Sequence, residues 1–171
     1  MYRYFVGVDL PAEHRSRIAN VMRRLGDPLP VPHITVKDPT GLTPDLHWLA
    51  PVRAAVAQSP PFTVTIGPPG HFGVRVLYLS VSCPDLEVVR DMIQRAMQRD
   101  HVEASPNTLD QEFTPHLTLW VARHGRRAPP LEEYASSLSG LEPFQVDELT
   151  VFRRDEARPP YHAWLRLPLK G

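Results

Sequence analysis

The sequence predicts an α+β fold made of two related lobes, and three observations carry that expectation. Strand-like alternation and helix-like spacing interleave in the order strand, helix, strand, helix, strand pair. That order occurs twice, with a break near residues 82–84. A short phrase is also written twice, as His33-Ile34-Thr35-Val36 after Pro32 and as His116-Leu117-Thr118-Leu119 after Pro115. The two histidines, at positions 33 and 116, lie about half of the 171-residue chain apart. A pseudo-twofold arrangement of the lobes would bring both phrases to a shared cleft.

The elements follow in order. Residues 3–9 alternate as a strand. Pro11 opens a helix with the stripe Ile18, Val21, Met22 and Leu25, which Gly26-Asp27-Pro28 ends. Strand 32–37 carries the first phrase. Thr43-Pro44-Asp45 reads as a helix start, with Thr43 as N-cap, and that helix runs to about Ala57. Phe62, Val64 and Ile66 alternate with threonines in a strand. The Gly- and Pro-rich stretch 67–73 reads as a loop before strand 74–81.

Pro84 and Asp85 open a helix with Leu86, Val89, Ile93 and Met97 inward. Residues 101–112 are a polar connection with a short strand near Val102–Ala104. Strand 114–122 carries the second phrase. A basic, Pro-rich loop over 124–130 precedes a short helix marked by Leu131, Tyr134, Ala135 and Leu138. Strand 145–152, a charged turn with Arg153, Asp155 and Arg158, and strand 161–167 follow.

Composition narrows the class. A length of 171 residues fits one domain over 1–171, and 42% hydrophobic residues is ordinary for a soluble globular protein. No apolar run approaches the roughly 18 residues of a membrane helix, and the N-terminus has no signal-peptide layout. The single cysteine, Cys83, forms no internal disulfide, which fits a reducing cytoplasm. With 19 basic and 19 acidic residues, no broad electrostatic grip on nucleic acid is indicated. An RNA substrate would be met at an end or as a short fragment.

The duplicated phrase carries the chemistry. In a strand, residues i and i+2 share a face. Each phrase therefore sets an imidazole beside a hydroxyl, with Ile34 and Val36, or Leu117 and Leu119, turned inward. Two histidines can divide acid and base work, and two hydroxyls can donate to phosphoryl oxygens. His33, Thr35, His116 and Thr118 are accordingly the expected catalytic residues. No metal is expected, because each phrase offers one strong ligand and no carboxylate or thiolate at ligand spacing. No G-x-x-x-x-G-K-[ST] loop is present, so no nucleotide cofactor is expected.

The two H-x-T-x phrases resemble the signature of the 2H phosphoesterase superfamily, the LigT-like 2′-5′ RNA ligases and cyclic phosphodiesterases. The likeness extends to Tyr4-Phe5-Val6-Gly7-Val8-Asp9-Leu10-Pro11, to Pro69-Gly70-His71-Phe72-Gly73 with Val76–Val81, to Phe113–Leu119, and to Val146–Leu149 with Tyr161. It implies a bilobal fold of two curved antiparallel sheets flanked by helices, with the cleft between them. It also implies opening of a 2′,3′-cyclic phosphate, or reverse ligation to a 2′-5′ linkage, without cofactor. For hydrolysis it implies His116 as base and His33 as acid, giving a 2′-phosphate. The chain departs from the pattern in Asp38-Pro39 after the first phrase, in a late Arg123, and in Arg153-Arg154 where a serine is common. These departures bear on substrate more than on mechanism.

Further residues are candidates for binding. Lys37 continues the His33 and Thr35 face. Trp120 continues the His116 and Thr118 face and, with Phe72 and Tyr161, is a candidate to stack on a base. Arg123, Arg153 and Arg154 are candidates for a second phosphate. The other histidines carry no motif, and His14 and His47 read as exposed helix positions. The expected partners are RNA ends, such as tRNA fragments, or small cyclic nucleotides, met by a monomer without a membrane. The alternatives are an enzyme of the same kind for another small nucleotide or for 3′-5′ RNA trimming, and a non-catalytic nucleotide- or RNA-binding module.

Overall fold

The computed structural model describes residues 1–99, 113–122, 130 and 134–171. The strand expected near Val102–Ala104, Arg123, nearly all of the basic loop and Leu131 fall outside these residues. In chain order the elements are β1 (Tyr2–Asp9), α1 (Ala12–Arg24), β2 (His33–Lys37), α2 (Leu49–Ala57), β3 (Phe62–Phe72) and β4 (Val76–Ser82). They continue with α3 (Pro84–Arg99), β5 (His116–Val121), α4 (Ala135–Leu138), β6 (Phe144–Val146), β7 (Glu148–Asp155) and β8 (Arg158–Pro168).

The strands form two four-stranded antiparallel sheets of matching layout, β2-β1-β7-β8 and β5-β4-β3-β6. The two motif strands, β2 and β5, are each the outer strand of their sheet, and they contact one another. The two-lobed α+β fold expected from the sequence is therefore present, with the pair of antiparallel sheets that the resemblance implies. The boundary near 82–84 is not the lobe boundary. The first sheet takes β1, β2, β7 and β8 from the two ends of the described chain, and the second takes β3–β6 from its middle. Halving the sequence misassigns the strand pairs, because each pair joins the sheet begun by the other half.

The helices cross over as well. Helix α1, which follows β1, contacts β5 and α4 of the second lobe, whereas α2 contacts β8 and α3 contacts β2 of the first. One cluster of buried side chains runs through both lobes. It joins Val6, Val8, Ile34, Trp48 and Val151 to Leu77, Leu79, Ile93, Leu117 and Leu119. Cys83 is buried within it.

Several local expectations change. Helix α2 starts at Leu49, not after Thr43, because Leu46 adopts φ 64° and breaks the helical path. The Asp45 carboxylate instead accepts from the Thr43 hydroxyl at 2.6 Å and the His47 amide at 3.2 Å. Residues 67–72 of the expected loop are strand, since β3 runs to Phe72 with a register irregularity between Ile66 and Pro69, and only Gly73 of that stretch belongs to the turn. The expected strand 145–152 is two strands, because the chain passes from the second sheet to the first at Asp147. His14 is buried, with a ring nitrogen 2.8 Å from the Glu142 carbonyl and its edge on Phe144. Helix α1 ends as its sequence suggests. Gly26 takes φ 98°, its amide donates to Arg23, and the Asp27 amide donates to Met22.

Candidate active site

Both motif strands are built alike. In β2, His33 lies opposite Asp9 and Thr35 opposite Gly7 of β1. In β5, His116 lies opposite Ser80 and Thr118 opposite Tyr78 of β4. Both ladders then shift by one residue directly after the threonine, at Val36 and at Leu119. An extra residue there bends each strand and breaks the alternation beyond it. Ile34, Val36, Leu117 and Leu119 are all buried, which fixes the histidines and threonines on the opposite face. The two outer strands meet with both His-Thr pairs on that face, so the site spans the seam between the sheets.

The two imidazoles are oriented by the same device. His33 Nδ1 donates to the Val31 carbonyl at 2.6 Å, and His116 Nδ1 donates to the Thr114 carbonyl at 2.7 Å. A carbonyl oxygen only accepts, so each Nδ1 carries a proton and each Nε2 is left for chemistry. Burial pushes the His33 pKa below its ordinary value, and the nearby His116 adds to that. The Val31 carbonyl and Asp9 act in the opposite direction. His33 is therefore held toward its neutral form in the free protein.

Aromatic rings support both histidines. Phe5 stacks on Phe152 with centroids 4.6 Å apart, and its ring lies 4.4 Å from that of His33. On the other side Phe72 stacks on Tyr78 at 4.2 Å, and both rings meet His116 in T-shaped contacts at 4.9 and 5.5 Å. Phe152 is the register partner of Phe5, and Phe72 that of Val76, so Phe152 and Phe72 are equivalent positions of the two sheets. Two glycines make room. A Cβ on Gly7 would come within 2.5 Å of the Ile34 carbonyl oxygen, and one on Gly70 within 2.7 Å of the Tyr78 ring.

The remaining candidates divide. Phe72 is at the site, against His116. Tyr161 packs on Phe5 at 4.8 Å, one ring removed from His33. Trp120 packs partly into the core and, with Thr118 and the end of α1, lines a small pocket of about 160 Å³. Lys37 does not continue the His33 face. The shift at Val36 turns it inward, to 2% exposure, and its ammonium donates to the Asp38 carboxylate, the Asp38 carbonyl and the Thr40 carbonyl. Three acceptors take all the donors an ammonium has. Arg153 is likewise on the wrong face. It lies opposite Tyr4, with its guanidinium 4.4 Å over Tyr2 and 5.0 Å over Trp164, because strand alternation gives the His33 face to Phe152 and Arg154. Arg123 falls outside the described residues.

Four residues beside the histidines carry no motif signal in the sequence: Phe5, Tyr78, Phe152 and Asp9. Phe5 alternates with Arg3, Gly7 and Asp9 on one face of β1, and only the pairing with β2 and β7 shows that this face is the one shared with His33 and Phe152. Asp9 sits opposite His33 and accepts from Arg166 at 2.8 Å and Arg15 at 3.1 Å, and Arg166 also donates to Thr150 at 2.7 Å. Among the described residues no group of three or more His, Cys, Asp and Glu side chains is placed to hold a metal ion. No helix among them is long and apolar enough to cross a membrane.

Comparison with solved structures returns the same architecture. TT0787 of Thermus thermophilus aligns with a TM-score of 0.71 at 21% identity, over 99% of this chain and 98% of that one. LigT of E. coli, in complex with 3′-AMP, aligns at 0.65 and 21% identity over 99% of both chains. A protein described as a phosphoesterase aligns at 0.64 and 20% identity over 100% of both. These likenesses show the fold. No curated protein sequence matches the chain. The family model of the 2′-5′ RNA ligase superfamily matches residues 10–158, which contain both His-Thr pairs, and the chain belongs to that superfamily.

Proposed function

We propose that this chain is a phosphoesterase acting on 2′,3′-cyclic phosphates, at RNA ends or in small nucleotides, with the reverse 2′-5′ ligation open to it, and using neither metal nor ATP. The observation that supports this most is the matched fixing of both imidazoles. Each keeps a free Nε2 on one shared face, with a threonine hydroxyl two residues along. A binding module has no need of two oriented titratable groups.

In hydrolysis His116 Nε2 takes a proton from water as the oxygen bonds to phosphorus. The P–O3′ bond breaks, and His33 Nε2–H gives its proton to the departing O3′, leaving a 2′-phosphate. Thr35 and Thr118 donate to the non-bridging oxygens as charge builds on them. His33 must be protonated for this role, whereas burial holds it toward neutral in the free protein. A phosphate anion arriving at the seam supplies the counter-charge that favours the imidazolium. Solved complexes of the similar E. coli LigT contain 3′-AMP and, in another crystal, phosphate, which suits a nucleotide phosphate as ligand.

The test is turnover of 2′,3′-cyclic AMP, with and without EDTA, and identification of the product. Conversion to 2′-AMP that persists under chelation is expected. Absence of turnover across cyclic nucleotides and cyclic-phosphate RNA ends would overturn the reading, and loss under EDTA with recovery on a divalent ion would overturn its metal independence.

A further inference from the structure

The two sides of the seam differ in charge. Register and alternation give the second sheet's face Gly70, Phe72, Tyr78, Ser80 and Thr118 around His116, with no charged residue among the described residues of its strands. The first sheet's face carries Arg154 on β7, two residues beyond Phe152, and Arg3 directly opposite it on β1. A run of contacts ties this pair to the site. The Arg154 guanidinium lies 4.9 Å over the Tyr161 ring, Tyr161 lies on Phe5, and Phe5 lies on His33. Two rings therefore separate the guanidinium from the imidazole.

We propose that Arg154, together with Arg3, forms an anion subsite that takes a second phosphate of the substrate, on the 5′ side of the reacting nucleotide. The proposal rests on the phosphoesterase reading and specifies its substrate class. Like charges directly opposite on neighbouring strands repel. The counter-charge beside them is Glu156, whose carboxylate accepts from Arg3 Nε at 2.9 Å. The Arg154 Nε is buried without a hydrogen-bond partner among the described residues. Two guanidiniums beside one carboxylate leave a positive balance, and a planar guanidinium suits a phosphate.

The ligand chemistry follows from the reaction. When the 2′,3′ end of a ribose sits between the histidines, the one further phosphate of that nucleotide is on its 5′ oxygen, at the other end of the sugar. In RNA this is the link to the preceding nucleotide. With the phosphate on the charged first sheet, the uncharged aromatic face of Phe72 and Tyr78 is left for the base. A cyclic nucleotide lacking a 5′-phosphate would leave the arginine pair unused.

The experiment compares binding of adenosine 2′-monophosphate and adenosine 2′,5′-bisphosphate to the full chain by calorimetry. The wild type is expected to bind the bisphosphate about tenfold or more tightly, the scale of one charge-assisted phosphate contact. Arg154→Gln should erase that preference, and Arg154→Lys should restore part of it. Equal binding of the two ligands by the wild type would overturn the subsite whatever the variants do. A preference kept intact in Arg154→Gln would overturn the assignment to Arg154. Neither readout needs turnover, so failure of the phosphoesterase reading shows separately, as no conversion of 2′,3′-cyclic AMP. A cyclic-phosphate dinucleotide and a 5′-phosphorylated cyclic mononucleotide then separate the sources. A lower KM for the dinucleotide assigns the subsite to RNA ends, and a lower KM for the mononucleotide alone assigns it to small nucleotides.

Discussion

His33 and His116 are held by the same hydrogen bond, from Nδ1 to the carbonyl oxygen two residues upstream, at 2.6 and 2.7 Å. One backbone turn before each strand thus sets the tautomer of each imidazole. Neither ring needs a carboxylate to orient it, which leaves Asp9 to its arginines.

If the two rings act as one unit, either His→Ala variant should lower kcat on 2′,3′-cyclic AMP by about a hundredfold to ten-thousandfold, the range of general acid–base catalysis. The double variant should fall well short of the product of the two losses, because the second partner has little to do once the first is gone. Wild-type turnover in either single variant removes that histidine from the mechanism.

Ligand binding should take up a proton at His33. Burial lowers its pKa in the free protein, so it is mostly neutral at pH 7. A phosphate at the seam raises that pKa and favours the protonated form, so affinity should increase as pH falls from 8 toward 6. Calorimetry of adenosine 2′-monophosphate in buffers of different ionisation heat measures the uptake. His33→Gln isolates the imidazole's share from the ligand's own titration. Equal uptake by variant and wild type would show that the ligand leaves His33 unchanged.

Thr35→Val and Thr118→Val remove hydroxyls while keeping shape. Each should lower kcat by about tenfold to a thousandfold, the loss expected for one donor aimed at developing charge. Folding should survive, because both positions are only partly buried. Unchanged kcat in both variants would reduce the threonines to strand formers.

Gly7→Ala tests the packing that seats β2. The added Cβ would meet the Ile34 backbone oxygen at 2.5 Å, so the two strands must part. A loss of about 1–3 kcal/mol in unfolding free energy is expected, as for other overpacked sites. A fall in kcat should accompany it, since His33 and Thr35 flank Ile34. A denaturant midpoint equal to wild type would show that β2 adjusts freely.

The placement of His33, Thr35, His116 and Thr118 opposite their buried aliphatic neighbours was legible because the phrase is duplicated and its alternation is regular. Alternation failed one residue later. Lys37 is two positions beyond Thr35, and only the paired strand reveals the extra residue at Val36 that turns it inward. Arg153 and Arg154 are adjacent and chemically identical, so the choice between faces depends on the register of β7 against β1. Helix α2 misled for a local reason. Thr43-Pro44-Asp45 has the composition of a cap, yet its side chains close a turn around Leu46 instead. Tyr78 reads as one more apolar strand residue until β5 is placed beside it.

The exchange of strand pairs between the halves bears on the order in which the protein can be made. The second sheet draws only on residues 62–146, so its partners emerge from the ribosome together. The first sheet cannot close until β7 and β8 follow, more than a hundred residues after β1 and β2. Pairing across so long a separation carries a large loop-closure cost and is slow to form. During synthesis β1 waits with its β7-facing edge unpaired, which is the condition that invites pairing with a second chain. His33 and Thr35 belong to the late sheet and His116 and Thr118 to the early one, so the two pairs share a finished framework only once the last strands have been synthesised.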